Sequence, residues 1–355
     1  MNWIKEAKPA ITIFENVRNL HSKAGDGKSN LDKLVQLMNE LGYAVRAMLL
    51  DATPFGSPAR RPRWYIVSLR MSNGPLQGDD CNPPVLAELQ KIVEGLTIDT
   101  LSLDSFLLPE GDPLLVKKAA VEEKKWAEAE AAKALARAKR AAKVAKQPAN
   151  DPAPVAQSWE QEHMEAFQQK GWTWPPNLSN VPNCPDSLGR RKQELVFMNY
   201  MQCLDGGRRI DDINMSVFFG TPGQDVVPCI VSTSVMWLTD KRQRICRELH
   251  GAELMALQGW HPSEQRGDFT HDQLKDPAGN AFCAFTLTPV LIGILATVDW
   301  KDLMNRSAET LTISDGECDD DDHDMSAETL RGKSDIEGSY DDLSDGEEGD
   351  CEDTR

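Results

Sequence analysis

Residues 11–70 constrain the fold more than any other part of the chain. ITIFENVRNL (11–20) opens as an apolar strand, and SNLDKLVQLMNELG (29–42) then places Leu31, Leu34, Leu37, Met38 and Leu41 at helical spacing. Ser29 or Asn30 can cap that helix and Gly42 can end it. YAVRAMLL (43–50) and WYIVSLR (64–70) read as two further strands around the turn-rich DATPFGSPARRPR. Strand, helix, strand, strand is one edge of an α/β sheet. Its first strand raises a question, because Glu15 carries a carboxylate into what reads as a buried end. Almost nothing precedes it to supply the neighbouring strands such a position needs.

Residues 71–110 are loop-rich, with LAELQKIVEGL as a short helix. Residues 114–147 are Ala, Lys and Glu over most of their length, which predicts a long helix without a wide apolar face. Its second half is basic, and the helix as a whole reads as a solvated spacer more readily than as a nucleic-acid arm. QPANDPAPVAQ (147–157) breaks it as a linker. A second folded region begins at Ser158 with Trp159, Trp172 and Trp174, the last two expected in a core. After it, RICRELHGAELMALQGWHP and PAGNAFCAFTLTPVLIGILATV read as two helices joined by a polar loop. The apolar run 281–298 contains Pro289 and Gly293, so a buried helix is expected there and no membrane span.

Charge divides unevenly along the chain. Residues 307–355 hold 19 Asp or Glu against 3 Lys or Arg, while residues 1–306 hold 37 against 36. A neutral body with a tail of net charge −16 leaves nucleic acid open as a partner for the body. The tail, poor in aromatics and repeating SAETL and SDGE, is expected to be disordered. Eight cysteines show no C-x-x-C spacing, so no metal or redox motif is expected. The N-terminus has no signal-peptide pattern.

Four stretches, in order, resemble the later half of DNA cytosine-5 methyltransferases. ENV (15–17) resembles the sixth family motif, and FGSPARRPRWYIV (55–67) the eighth. RELHGAELMALQGW (247–260) resembles the ninth, with Arg247, Leu249, Glu253, Gln258 and Gly259 in the expected places, and GNAF (279–282) the tenth. The resemblance implies a flipped cytosine attacked at C6 by a thiolate, with methyl transfer from S-adenosyl-L-methionine. Glu15 would then hold N3 and the exocyclic amine, its pKa raised by desolvation. Arg61 and Arg63 would orient that glutamate and meet the flipped nucleotide. Two departures touch this network: Ala59 replaces the family's glutamine, and Pro62 sits between the arginines. Asn280 and Ala281 match positions lining the S-adenosyl-L-methionine pocket, with a plain helix N-cap as the alternative for Asn280. Arg208 and Arg209, in the counterpart of the target-recognition region, would approach DNA phosphates from a glycine loop; a solvated loop is the plainer alternative.

The family's Phe-x-Gly-x-Gly cofactor loop and Pro-Cys nucleophile loop do not precede Glu15. FFGTPG (218–223), Cys184 in NCP and Cys229 in VPC resemble them, but all lie after the eighth motif, and Cys229 reads more simply as a buried strand residue. The expected architecture is therefore α/β. A partial Rossmann-like, S-adenosyl-L-methionine-dependent methyltransferase sheet occupies 1–70, and an insertion with the long helix and linker occupies 71–157. A target-recognition region (158–240), the last catalytic-domain motifs (241–304) and a disordered acidic tail (305–355) complete it. Function is expected to be that of the C-terminal portion of a DNA cytosine-5 methyltransferase, inactive alone. DNA is the expected partner, together with a complementary methyltransferase half or active partner, in the nucleus and without membrane. A noncatalytic DNA-binding or regulatory module, a tRNA cytosine-5 methyltransferase relative and a truncated gene product stay open.

Overall fold

The computed structural model describes residues 2–301 apart from 24, 26, 73, 145–157, 183, 185–186, 219–222 and 261–268. The 147–157 linker, most of FFGTPG and the acidic tail, on which disorder was expected, lie outside the described residues. Residues 1–304 form one compact unit.

The first sheet follows the sequence pattern closely. Strands β1 (Ile11–Val17), β2 (Tyr43–Leu50) and β3 (Arg63–Arg70) are ordered β1-β3-β2, with β3 antiparallel to both neighbours. β1 and β2 therefore run the same way, and helix α2 (Asn30–Glu40) connects them as a crossover requires. Ser29 caps α2 by accepting from the Asp32 amide, and the Asp32 carboxylate returns the bond to the Ser29 amide. Gly42 ends the connection at φ +85°; a Cβ there would lie 2.3 Å from the Ser72 carbonyl oxygen.

Helices cover both faces of this sheet. On one side Met38 of α2 and Ile4 of α1 (Asn2–Ala7) pack on Tyr43, with Phe14 and Val45 against them. On the other, α3 (Pro84–Gly95) and α9 (Ala284–Thr297) bury Leu86, Leu89, Val93, Val290 and Ile294 against Met48, Tyr65, Val67 and Leu69. The three layers fit a partial Rossmann-like sheet. The apolar run at 281–298 thus becomes a core helix, and among the described residues no single helix is long and apolar enough to cross a membrane.

Helix α4 (Pro113–Val144) confirms the long helix but not a solvated spacer at its start. Leu114 and Leu115 pack toward Leu108, Ala252 and Leu274, and Lys118 bonds Glu248 at 3.0 Å. Beyond it, α5 (Ser158–Gln169) and α6 (Arg190–Gln202) enclose Phe167 and Phe197, with Trp172 and Trp174 packed against them as core side chains. A second antiparallel sheet follows, ordered β4 (Arg208–Asp212), β5 (Met236–Asp240) and β6 (Ile245–Glu248).

The C-terminal reading as two helices needs correction. RICRE is strand β6 paired to β5, because Ile245 and Cys246 are buried against that partner. Three helices follow: α7 (Gly251–Leu257), α8 (His271–Asn280) and α9. Helix α8 takes in HDQLKD, which reads as part of the polar loop, and PAGN, which reads as the start of the second helix. Its start is held by a reciprocal pair, Thr270 Oγ1 accepting from the Gln273 amide and Gln273 Oε1 from the Thr270 amide.

Candidate active site

β1 and β3 together set the site. In their register Glu15 faces Tyr65 and Val17 faces Arg63, so Glu15 and Arg63 are diagonal neighbours on one face of the sheet. Arg63 Nε lies 3.3 Å from Glu15 Oε1, and Arg61 Nε lies 3.8 Å from the same oxygen. The carboxylate is only 13% exposed. Burial pushes the Glu15 carboxyl above its ordinary value, and the nearby Arg61 and Arg63 pull against that without reversing it. A desolvated acid beside two fixed cations is the arrangement expected for these residues, and the fold brings all three together.

Arg61 is held by more than Glu15. Its Nη1 donates to the Ile230 carbonyl at 2.8 Å, and its Nη2 to the carbonyls of Ala281 at 2.9 Å and Gly279 at 3.2 Å. The side chain is buried, and its backbone amide donates to Asp51 Oδ1 at 2.8 Å. One planar guanidinium thus joins the loop before β3, the segment before β5 and the turn after α8. That turn depends on Gly279, since a Cβ there would sit 2.1 Å from the Ser232 amide nitrogen. Ala59 stands where the family's glutamine would and is buried, bridged to Val227. The amide of Arg60 donates to the Val227 carbonyl, and the Val227 amide to the Pro58 carbonyl. This short pairing brings residues 227–231 alongside the arginines.

It also carries Cys229 into the site. Cys229 lies outside any strand and is half-buried, where a buried strand residue was expected. Its sulfur accepts from Arg63 Nη2 at 3.5 Å. Sequence reasoning missed this contact because Cys229 and Arg63 are 166 residues apart. The one available signal was the VPC string.

Beneath the cluster, the Tyr65 hydroxyl shares a hydrogen bond with Thr286 Oγ1 at the start of α9, and burial raises the Tyr65 phenol's pKa. Cys283 caps the same helix and is buried.

The other expected site residues fall elsewhere. Asn280 is the last residue of α8 and no N-cap; it is exposed, and its Nδ2 donates to Asp276. Ala281 spends its amide on the Pro277 carbonyl and its own carbonyl on Arg61. Arg208 and Arg209 lie on strand β4, where a glycine loop was expected, and both are buried. Arg208 pairs with Asp104 and, at 2.9 Å, with Asp225; Arg209 pairs with Asp211 at 2.7 Å. Each guanidinium is already engaged by carboxylates, which leaves little of either to meet a phosphate.

The ninth-motif residues build structure. Glu253 is fully buried and receives both Arg247 nitrogens, at 2.7 and 2.8 Å, with the amides of His250 and Leu108.

The chain is 36% identical over 67 residues to the type II methyltransferase M.HhaI of Haemophilus parahaemolyticus, a match covering 19% of this chain and 20% of that protein. With the type II methyltransferase M.MspI of a Moraxella species it shares 28% identity over 122 residues, 32% of this chain and 28% of the relative. The matched stretches therefore span under a third of those relatives' lengths. Among solved structures, the Dnmt2 methyltransferase of S. pombe overlays at a TM-score of 0.38 with 12% identity, covering 81% of this chain and 67% of that one. A putative DNA modification methyltransferase from an E. coli prophage overlays at 0.40 with 12% identity, covering 83% and 71%. The profile of the C-5 cytosine-specific DNA methylases matches residues 1–282, and the chain belongs to that family.

Proposed function

We propose that the Glu15–Arg61–Arg63 cluster receives the ring of a cytosine turned out of DNA, as a part of cytosine-5 methyl-transfer chemistry. The observation that carries this is Glu15 itself, a buried carboxyl of raised pKa held between two arginines. A cytosine presents an acceptor at N3 beside a donor amine at C4. A protonated carboxyl matches both, giving its proton to N3 and accepting from the amine. A raised pKa keeps that proton on the carboxyl to higher pH, and the guanidiniums balance negative charge as it develops.

Family membership supports DNA as substrate and S-adenosyl-L-methionine as methyl donor. Arg61 acts here as a brace whose charge is fixed by three carbonyls. Arg63, with a neighbouring carboxylate and thiol, is the arginine placed to meet a substrate.

The test is binding of the full chain to duplexes of mixed sequence in which cytosine, or adenine, stands opposite abasic positions. An unpaired base costs less to extrude. Expected is a preference of about tenfold for cytosine, corresponding to roughly 1.4 kcal/mol, weakening as pH rises and lost in Glu15→Ala. Equal affinity for the two duplexes would remove the assignment.

A further inference from the structure

The chain leaves Glu15 through a short, well-held turn. Val17 is the register partner of Arg63, and a 3-10 turn (Arg18–His21) follows before α2 begins. The turn thus sits at the end of β1 and the start of β3, the same end of the sheet as Glu15 and Arg63. At about 3.3 Å per residue, Arg18 lies roughly 10 Å from Glu15, the rise of about three base steps.

Several contacts fix this turn. Trp64, the residue after Arg63, donates from Nε1 to the Arg18 carbonyl at 3.0 Å. The His21 ring packs on the Trp64 indole with centroids 5.7 Å apart. The Ser22 amide donates to the Asn19 carbonyl at 2.9 Å, and Lys23 bridges to Ser29, the cap of α2. A segment pinned in this way presents its side chains from a set backbone, so less freedom is lost when a partner arrives.

What the turn presents is cationic. Arg18, His21 and Lys23 are exposed, and neither Arg18 nor Lys23 is paired with a carboxylate among the described residues. Asp32, the carboxylate that senses His21 and Lys23, is committed to the amide and hydroxyl of Ser29 at 2.9 and 2.8 Å. The arginines expected to meet phosphates are in the opposite condition, since Arg208 and Arg209 are engaged by Asp104, Asp225 and Asp211. Unspent cations on a fixed turn, close to a residue that receives a base, have the chemistry of a phosphate contact.

Given the cytosine-receiving role of Glu15, on which its placement rests, we propose that the turn 18–23 is a surface for the DNA backbone. Arg18 and Lys23 meet phosphates of the strand that carries the turned-out base. Such contacts set where the duplex lies and read no sequence, so they contribute affinity and leave base preference to Glu15.

The experiment measures binding of the full chain to duplexes with cytosine or adenine opposite abasic positions, across a salt series. Native chain, Arg18→Ala, Lys23→Ala and Lys170→Ala are compared, Lys170 being an exposed lysine just after α5 that serves as the charge-matched control. Each turn variant is expected to weaken binding to both duplexes by about threefold to tenfold at low salt. Each should also lower the slope of log affinity against log salt by about 0.9, the loss of one phosphate contact. The preference for cytosine should persist, and Lys170→Ala should keep native affinity and slope. An unchanged slope in both turn variants, or an equal loss in Lys170→Ala, overturns the surface and leaves the role of Glu15 standing. A slope that falls in the turn variants while the native chain shows no cytosine preference keeps the phosphate contacts and removes that role.

Discussion

Two arginines one residue apart suggest a pair of equivalent cations, but the fold uses them differently. Arg61 is spent on the carbonyls of Ile230, Gly279 and Ala281, and Arg63 stays at the carboxyl and thiol. Lysine keeps the charge but lacks the fork that reaches three oxygens. Arg61→Lys is therefore expected to cost about 3 kcal/mol by urea unfolding, from buried carbonyls left without donors; a loss under about 0.5 kcal/mol would contradict the brace. Glu15 makes the opposite prediction. Its folded pKa is raised, so its contribution to stability is fully present below the unfolded carboxylate value and is lost as pH rises through the folded one. Glu15→Gln mimics the protonated acid and should melt higher than the native chain at pH 8, with the gap closing near pH 4. A lower melting temperature at pH 8 would show that the ion pairs outweigh burial.

At the scale of elements, α7 and α8 are held by groups that must keep particular protonation states. His250 Nδ1 accepts from the Ala252 amide, which a protonated nitrogen cannot do. Burial, with His271 beside it, lowers the His250 pKa to about 4. Glu248 is driven up by burial, but His271 and Lys118 more than offset this and bring it to about 2. Both folded values lie below the unfolded ones, so both groups stabilise at neutral pH. The His250 share is lost as pH falls from about 6.5 toward 4, and the Glu248 share from about 4.5 toward 2. Stability measured by urea between pH 7 and pH 3 should fall in two stages, and His250→Asn should flatten the upper one. Glu253 is the other anchor: Glu253→Ala strands the half-buried Arg247 partner and two amides, and should cost roughly 3 kcal/mol. The ninth motif was the most legible stretch in the sequence for this reason, since nearly every residue in it serves packing or capping. Strand β6 and helix α8 were not legible. Ile245 and Cys246 form a strand only because β5 lies beside them, and the polar run from His271 is helical through the Thr270–Gln273 pair that starts α8.

On the scale of the whole molecule, local pattern was enough for the first sheet and failed where distant segments meet. The strands and helix of residues 11–50 carry their own caps, alternation and turn glycine, so sequence reasoning placed them within a residue or two. Cys229 beside Arg63, and Arg208 and Arg209 bound by Asp104, Asp225 and Asp211, depend on contacts no window of sequence contains. Charge, by contrast, is legible without structure. The net −16 of residues 307–355, tethered to a body of net −1, should repel a polyanion. Deleting 307–355 is expected to tighten DNA binding several-fold at low salt, with the difference vanishing as salt screens it; equal affinities at low salt would leave the tail no such role. The grip of Arg61 has a consequence in time as well as in energy. The carbonyls it joins lie 169, 218 and 220 residues along the chain, so those loops must close before any of the three bonds can form. During refolding the helices should return first. The cluster of Glu15, Arg61 and Arg63 should be the last region to close, after the secondary structure has returned.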